Sequence, residues 1–471
     1  MAQKKKLALH YKILIGLILG TGWALLSANM GWSKFTADWI APWGDMFINS
    51  LKLVAVPLVL FSIMQGITSL SDTNSLGRLG LKTISIYIVT TMVAISVGLI
   101  AVNVIKPGES VSQEQRIINR ISYELWVDAT PGVEKLDDID YSHDPKYSQY
   151  VADAKGLKDG SESNGGIGSK AVSKQKATES GPLQMLVDIV PSNIFNSLTN
   201  NKMLQIIFFA IFFGVVIVSL PYEKVDVVVK FIHGTNEIFI KMVDMIMMVA
   251  PYFVFALMAG KVSELAGDDP DAVIEIFKGL ATYSGTVILG LGFLIFGLYP
   301  VIVKLVTKQI TYSQFFQAMS PAQLLAFSTS SSAATLPVTM ECATDGLGVK
   351  EEISSFVLPI GATVNMDGTS LYQGVAVVFL AQFHMIDLSL AQQLTIILTA
   401  TLASIGSAAI PSAGLIMMVV VLQSVGLNPA WIAIILPVDR FLDMCRTVVN
   451  VTGDASVASI IAKSEGKLEK R

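Results

Sequence analysis

The sequence predicts an all-α membrane protein in which simple spans come first and interrupted, re-entrant helices follow. Three observations predict it. Of 471 residues, 52% are hydrophobic and 15% charged, whereas soluble domains carry about 25% charged residues. Apolar runs of spanning length begin near Lys12, Met46, Ile84, Met203, Val228 and Tyr283. Beyond Lys308 the apolar stretches are instead broken by Ser, Gly, Pro and Asn. Non-helical backbone at membrane depth is tolerated only where protein or a cavity covers it.

The six runs take their orientation from their basic flanks. Lys4, Lys5 and Lys6 precede the first, Arg78 and Lys82 lie between the second and third, and Lys224 and Lys230 follow the fourth. Lys304 and Lys308 follow the sixth, and Lys463, Lys467, Lys470 and Arg471 close the chain. Alternation puts all of these on the cytoplasmic side, with both termini, and puts the acidic connection at 264–271 outside. The start resembles a signal n-region, but Gly16, Gly20 and Gly22 lead into a polar segment without a convincing cleavage site, so an uncleaved first span is expected. Residues 106–181 are rich in Asp, Ser, Gly and Lys and read as an outer, mostly flexible loop, with a small folded insert around 123–150 as the alternative.

Three later stretches are apolar but divided. Residues 315–344 are split by the serine run 328–332 and Pro337, residues 352–384 by Asn365-Met-Asp-Gly-Thr369, and residues 390–425 by 404–407 and 411–414. The first and last read as hairpins of two half-helices. Such a pair, each followed by a helix with buried polar groups, is the pattern of an inverted-repeat secondary transporter with its site where the repeats meet. Half-helix N-termini offer free N–H groups to a carboxylate. The competing reading is that the serines only let helices pack closely. Asn365, Asp367 and Thr369 offer hard oxygens, and Gly368 permits the backbone break, which suits a monovalent cation, most simply sodium.

The last apolar stretch holds five charges, Asp439, Arg440, Asp443, Arg446 and Asp454. Ionisable groups at membrane depth mark substrate or ion sites. As a helix, Asp443, Arg446, Thr447, Asn450 and Asp454 share one face. A guanidinium grips a carboxylate bidentately; Asp443 either pairs with it or takes a ligand ammonium. A ligand with two carboxylates and one amine, an acidic amino acid, matches Arg446, the half-helix N–H groups and Asp443 together.

Other classes are disfavoured. The net charge is −4 with no basic patch, so no nucleic-acid partner is expected. Cys342 and Cys445 make neither a disulfide framework nor a zinc site, and the four histidines have no ligand spacing. A protease with opposed aspartates, drawn from Asp367, Asp443 and Asp454, is the enzyme alternative; an ion channel is another.

Four ordered motifs carry a resemblance: Ser330-Ser-Ser-Ala-Ala-Thr-Leu-Pro-Val-Thr339, Gly361-Ala-Thr-Val-Asn-Met-Asp-Gly-Thr369, Ser404-Ile-Gly-Ser-Ala-Ala-Ile-Pro-Ser-Ala-Gly414, and 439–454. The chain resembles the dicarboxylate/amino acid–cation symporters, the glutamate/aspartate transporters, over all but the long loop. The resemblance implies eight transmembrane helices, two re-entrant hairpins, a homotrimer in the cytoplasmic membrane, contact with membrane lipid and elevator movement. It divides the chain into scaffold helices at 1–82, a third span at 83–105, the loop at 106–182, scaffold helices at 183–262 and a transport domain at 263–471. It gives the substrate side-chain carboxylate to Arg446 and the amino group to Asp443. Thr369, Thr447 and Asn450 become further contacts, with Ser332 and the second tip (Ala408, Ile410, Pro411, Ser412, Ala413, Gly414) at the other carboxylate. It implies three sodium sets: Gly361, Asn365, Asn450 and Asp454; Thr363, Met366, Ser404, Ile405 and Ser407; and Tyr87, Thr90, Thr91, Asn365 and Asp367.

Departures refine this. Neutral amino-acid members lack the arginine at Arg446, and C4-dicarboxylate members lack the carboxylate at Asp443, so both substrates become alternatives of second rank. Animal members carry glutamate where Gln373 stands, which favours sodium coupling without proton and potassium coupling. Arg440 and the Ser330 tip stand in for an arginine placed elsewhere in relatives, and are expected to meet in one state of the cycle.

Overall fold

The structure is a computed structural model that describes residues 9–68, 76–130, 133, 135–151, 154, 190–199, 203–266, 270–405 and 413–469. Helices dominate it, and among the described residues β structure is limited to one antiparallel bridge between Val349 and Leu468. In order they are α1 Leu9–Met30, α2 Ser33–Trp39, α3 Ala41–Thr68, α4 Leu76–Ile105, α5 Gln113–Ala129, α6 Ile194–Thr199, α7 Met203–Ser219 and α8 Tyr222–Ala266. Then follow α9 Pro270–Gly292, a π-helical turn Phe293–Leu298, α10 Tyr299–Thr307, α11 Tyr312–Thr329, α12 Ser332–Glu341, α13 Glu351–Val364, α14 Asp367–Phe383, α15 Leu390–Ile405, α16 Ala413–Ser424 and α17 Ile432–Ser464. The start of each of the six expected apolar runs falls inside a helix, and the segments Arg78–Ser110 and Val273–Thr307 are long and apolar enough to cross a membrane.

Two groups of helices organise the packing, and they meet where α8 lies against α17 and α3 against α16. In the first, α8 lies against α1 and α3, and α7 against α3. Gly16 and Gly20, one turn apart, let α1 press onto the α8 backbone: an added Cβ would stand 2.3 Å from Pro251 O and 2.7 Å from Phe255 O. Small residues at this spacing allow close helix approach in lipid, where packing rather than water drives association. In the second group α17 is the hub. It touches α9, α10, α11, α12, α13, α14 and α16, while α14 also lies against α4.

The helix breaks follow from local chemistry. Thr311 and Gln314 form a reciprocal capping box that starts α11. Ser330, left-handed at φ 52°, ends it, and the Ser331 side chain accepts from Ala334 N to start α12. Asn365 is extended after α13, and α14 begins at Asp367. The first divided stretch is thus two helices joined at a serine tip, as expected, but Pro337 lies inside α12 and does not divide it. The second tip, 406–412, lies outside the described residues.

The outer segment departs from its expectation in its first half. Residues 107–130, 133 and 135–151 are folded, so a flexible loop from 106 onward is too broad; residues 131, 132, 134, 152, 153 and 155–182 lie outside the described ones. The reason is α5, which buries Ile117 and Ile121 in a small cluster with Ala154 and buries Tyr123 and Val127 against the main core. Arg120 is fully buried there; its Nε donates to Glu124 at 2.7 Å, Nη1 to Asp137 at 2.8 Å and Met385 O at 3.2 Å, and Nη2 to Asp137 and Ile139 O. Burial opposes its charge, but Asp137 and Glu124 outweigh that and leave its pKa above the ordinary value. Arg116 donates to Gln382 O and Asn119 to Phe383 O, so α5 caps the C-terminal carbonyls of α14.

Candidate functional site

The face expected on α17 is buried. Arg446 is 0% exposed, Asp454 2%, Asn450 3% and Asp443 6%. A surface helix with a solvated polar face is therefore excluded. Arg446 Nη2 donates to Asp443 Oδ1 at 2.7 Å and to Asp439 Oδ1 at 3.1 Å. Its guanidinium carbon lies 3.9 Å from the centre of the Tyr372 ring, a cation–π contact. Nη1 and Nε find no partner among the described residues. A buried donor without a partner is costly, so this is the edge at which an anion would be welcome. Arg440 Nη1 donates to Asp443 Oδ2 at 3.2 Å, and Thr447 Oγ1 to Asp443 O at 2.8 Å.

Two further elements reach this edge. A Cβ on Gly414, in the first turn of α16, would stand 2.5 Å from Thr369 Cγ2 and 3.4 Å from Arg446 Nη1. Gln373 Nε2 donates to Gly414 O at 3.1 Å. Gly368 N donates to Asn450 Oδ1 at 2.8 Å. Hence Thr369, Gly414, Arg446, Thr447, Asn450 and Asp443 are brought together by α14, α16 and α17. Ser332 is buried at the start of α12, which packs on α17. Ala408, Ile410, Pro411, Ser412 and Ser407 lie outside the described residues; Ile405 and Ala413 end the helices on either side.

The three candidate cation sets differ in how closely they assemble. Thr91 Oγ1 donates to Asp367 Oδ1 at 2.8 Å, and Thr90 Oγ1 lies 3.4 Å from both Asp367 Oδ1 and Asn365 Oδ1. Tyr87 Oη lies beside Gly361, on which a Cβ would stand 2.3 Å from it and 2.6 Å from Asp454 Oδ1. Asn365 Nδ2 donates to Asp454 Oδ1 at 2.9 Å, which ties two sets together. Two carboxylates, an amide and hydroxyls around one centre form a hard-oxygen donor group. In the remaining set, Met366 Sδ faces Asn450 Nδ2 at 3.5 Å, while Thr363 and Ser404 bond to carbonyls of their own helices.

Four side chains at this centre had no role assigned from sequence. Asp439 precedes Asp443 by four and Arg446 by seven residues, so helical periodicity was a usable signal for it. Tyr372 and Tyr299 are single aromatics in apolar helices, with no pattern to mark them. Gln373 stood out only as a departure from relatives. Arg440 is held by Asp443, and the buried Ser330 hydroxyl has no partner among the described residues.

A helical chain whose buried ions and broken helices converge on one spot is a membrane transporter. It belongs to the sodium:dicarboxylate symporter family, whose model matches residues 9–464. It is 35% identical over 468 residues to excitatory amino acid transporter 3 of Mus musculus, covering 97% of this chain and 85% of that one. It is 36% identical over 445 residues to the Homo sapiens protein of the same name, covering 91% and 80%. To the proton/sodium-glutamate symport protein of Geobacillus stearothermophilus it is 31% identical over 463 residues, covering 98% and 96%.

Proposed function

We propose that the protein carries acidic amino acids, L-aspartate or L-glutamate, across the cytoplasmic membrane together with sodium. The carrying observation is Arg446: a fully buried guanidinium with Nη1 and Nε unpartnered among the described residues, facing Thr369 and Gly414. A carboxylate fits that fork. Asp443 then turns from Arg446 toward the amino group, and the second hairpin closes over the ligand. Sodium ions, as co-transported substrate, neutralise Asp367 and Asp454, and the linkage between ion and amino acid is reciprocal.

In this reading the third span at 83–105 and residues 263–471 move as an elevator against a scaffold of 1–82 and 183–262, in a homotrimer of eight-span protomers with both termini cytoplasmic. A C4-dicarboxylate leaves Asp443 without an ammonium, and a neutral amino acid leaves Arg446 without an anion; both are worse fits. A protease reading needs aspartates sharing a proton, whereas Asp443 is held on a guanidinium, Asp367 takes Tyr299 and Thr91, and Asp454 takes Asn365. Purified protein in liposomes with a sodium gradient is expected to accumulate labelled L-aspartate or L-glutamate, with affinity rising steeply with sodium. Uptake that is indifferent to sodium, or is competed by succinate or serine but not by aspartate, refutes it.

A further inference from the structure

Tyr299 opens α10 directly after the π-helical turn Phe293–Leu298. Such turns rotate the residues that follow and recur at functional sites. Tyr299 is buried, and its hydroxyl donates to Asp367 Oδ2 at 2.6 Å. The other carboxylate oxygen, Oδ1, faces Thr91 at 2.8 Å and Thr90 at 3.4 Å. Asp367 is thus divided: one oxygen is tied to α10, the other turned to the hydroxyl and amide oxygens on α4 and at Asn365.

Gly453 makes the contact possible. It lies inside α17, where glycine is a poor helix former, so a reason other than helix stability is needed. A Cβ there would stand 3.2 Å from Asp367 Oδ2, 3.2 Å from Tyr299 Oη and 3.3 Å from Asn365 Nδ2. All three partners would have to give way.

We infer that Tyr299 is a positioning residue for cation coupling, acting through Asp367 and given room by Gly453. This rests on the sodium-coupled reading above. A carboxylate torsion is broad and roughly two-fold; anchoring Oδ2 keeps Oδ1 pointed at Thr90, Thr91 and Asn365. When a cation enters, the threonine hydroxyls rotate to offer lone pairs, while the Tyr299 bond is unchanged. Orientation set in advance lowers the ordering cost of binding.

The test is Tyr299→Phe in the full chain, with two readouts: the sodium dependence of aspartate uptake in liposomes, and the rise in unfolding temperature on adding sodium without substrate. Half-saturating sodium is expected to rise by up to about ten-fold, the cost of ordering one freed side chain on binding, with uptake at saturating sodium retained. The thermal shift should move to higher sodium in parallel. Gly453→Ala, which keeps the hydroxyl, should shift half-saturation in the same direction by less, although alanine favours the helix. A purely structural tyrosine would lower the unfolding temperature equally with and without sodium and leave half-saturation unchanged; that result overturns the inference. If Tyr299→Phe does not fold, Gly453→Ala carries the same two outcomes. If the parent takes up no acidic amino acid, the symport reading fails, and the sodium-dependent thermal shift still decides this one.

Discussion

Arg120 and Arg446 are both fully buried, and the protein treats them in opposite ways. Arg120 spends its whole fork inside the chain: two carboxylates and two backbone carbonyls surround it. Arg446 meets two carboxylates through Nη2 alone and leaves the rest of the fork without a partner among the described residues. Burying a charge is tolerable only with good partners. The saturated arginine holds α5 on the end of α14; the incomplete one marks where a ligand completes the set. The lesson is that burial of an arginine says little, and the count of its satisfied donors says a great deal.

The strongest way to break this contrast is to remove each guanidinium in turn. Arg446→Ala is expected to lower uptake of acidic amino acids on the order of a thousand-fold, about 4 kcal/mol for a desolvated charge pair, as read by initial rates of labelled aspartate. Arg446→Lys keeps the charge without the fork and should recover little of it. Near-parental uptake by the alanine variant would end the claim that Arg446 binds substrate.

Arg120→Ala is expected to cost the folded insert about 3 kcal/mol, because Glu124 and Asp137 lose their partner. Limited proteolysis within 113–151 should accelerate while the KM for substrate stays put. A change in KM without faster cleavage would place Arg120 at the site instead. A smaller effect comes from Gln373→Leu, which removes the donor to Gly414 O. Loss of one neutral hydrogen bond, about 1 kcal/mol, should raise KM about five-fold; an unchanged KM would mean that the α14–α16 contact is incidental to closure.

The smallest effect sits at the rim of the insert. Lys135 is the main cause holding the Asp140 carboxyl well below its ordinary range, with His143 and Ser142 adding to it. A depressed folded pKa contributes stability that is complete above the unfolded value, about 3.9, and is lost as pH falls through the folded one. The pair is partly exposed, so Lys135→Ala should cost at most about 0.5 kcal/mol near neutral pH and nothing in strong acid. Thermal melts at both pH values would show it, and an equal loss at both would remove the electrostatic cause.

Much of this was legible in the chain. The charged run 439–454 in apolar surroundings, with polar residues at helical spacing, pointed to a buried stripe, and the stripe is buried. The serine run 328–332 and the Asn365–Thr369 break announced where helices would end, since capping and αL geometry are local properties. The insert was read too loosely because its order depends on Arg120 finding Glu124, Asp137 and Met385 O, and low local hydrophobicity does not reveal such a network. Asp439 was visible by spacing but had no assigned partner.

By itself, then, the sequence determined a helical membrane chain, the positions of its breaks and the face of α17 that avoids lipid, because hydropathy, periodicity and capping act over neighbouring residues. Only the tertiary structure decided which arginine is satisfied and which is left open, that Tyr299 reaches Asp367 past Gly453, and that α5 closes the end of α14. Tyr299 with Asp367 and Asn119 with Phe383 are 68 and 264 positions apart, and even the nearer partners of the two arginines, 3 to 19 positions away, are chosen by how the chain folds back; no local pattern encodes which donor arrives at which acceptor.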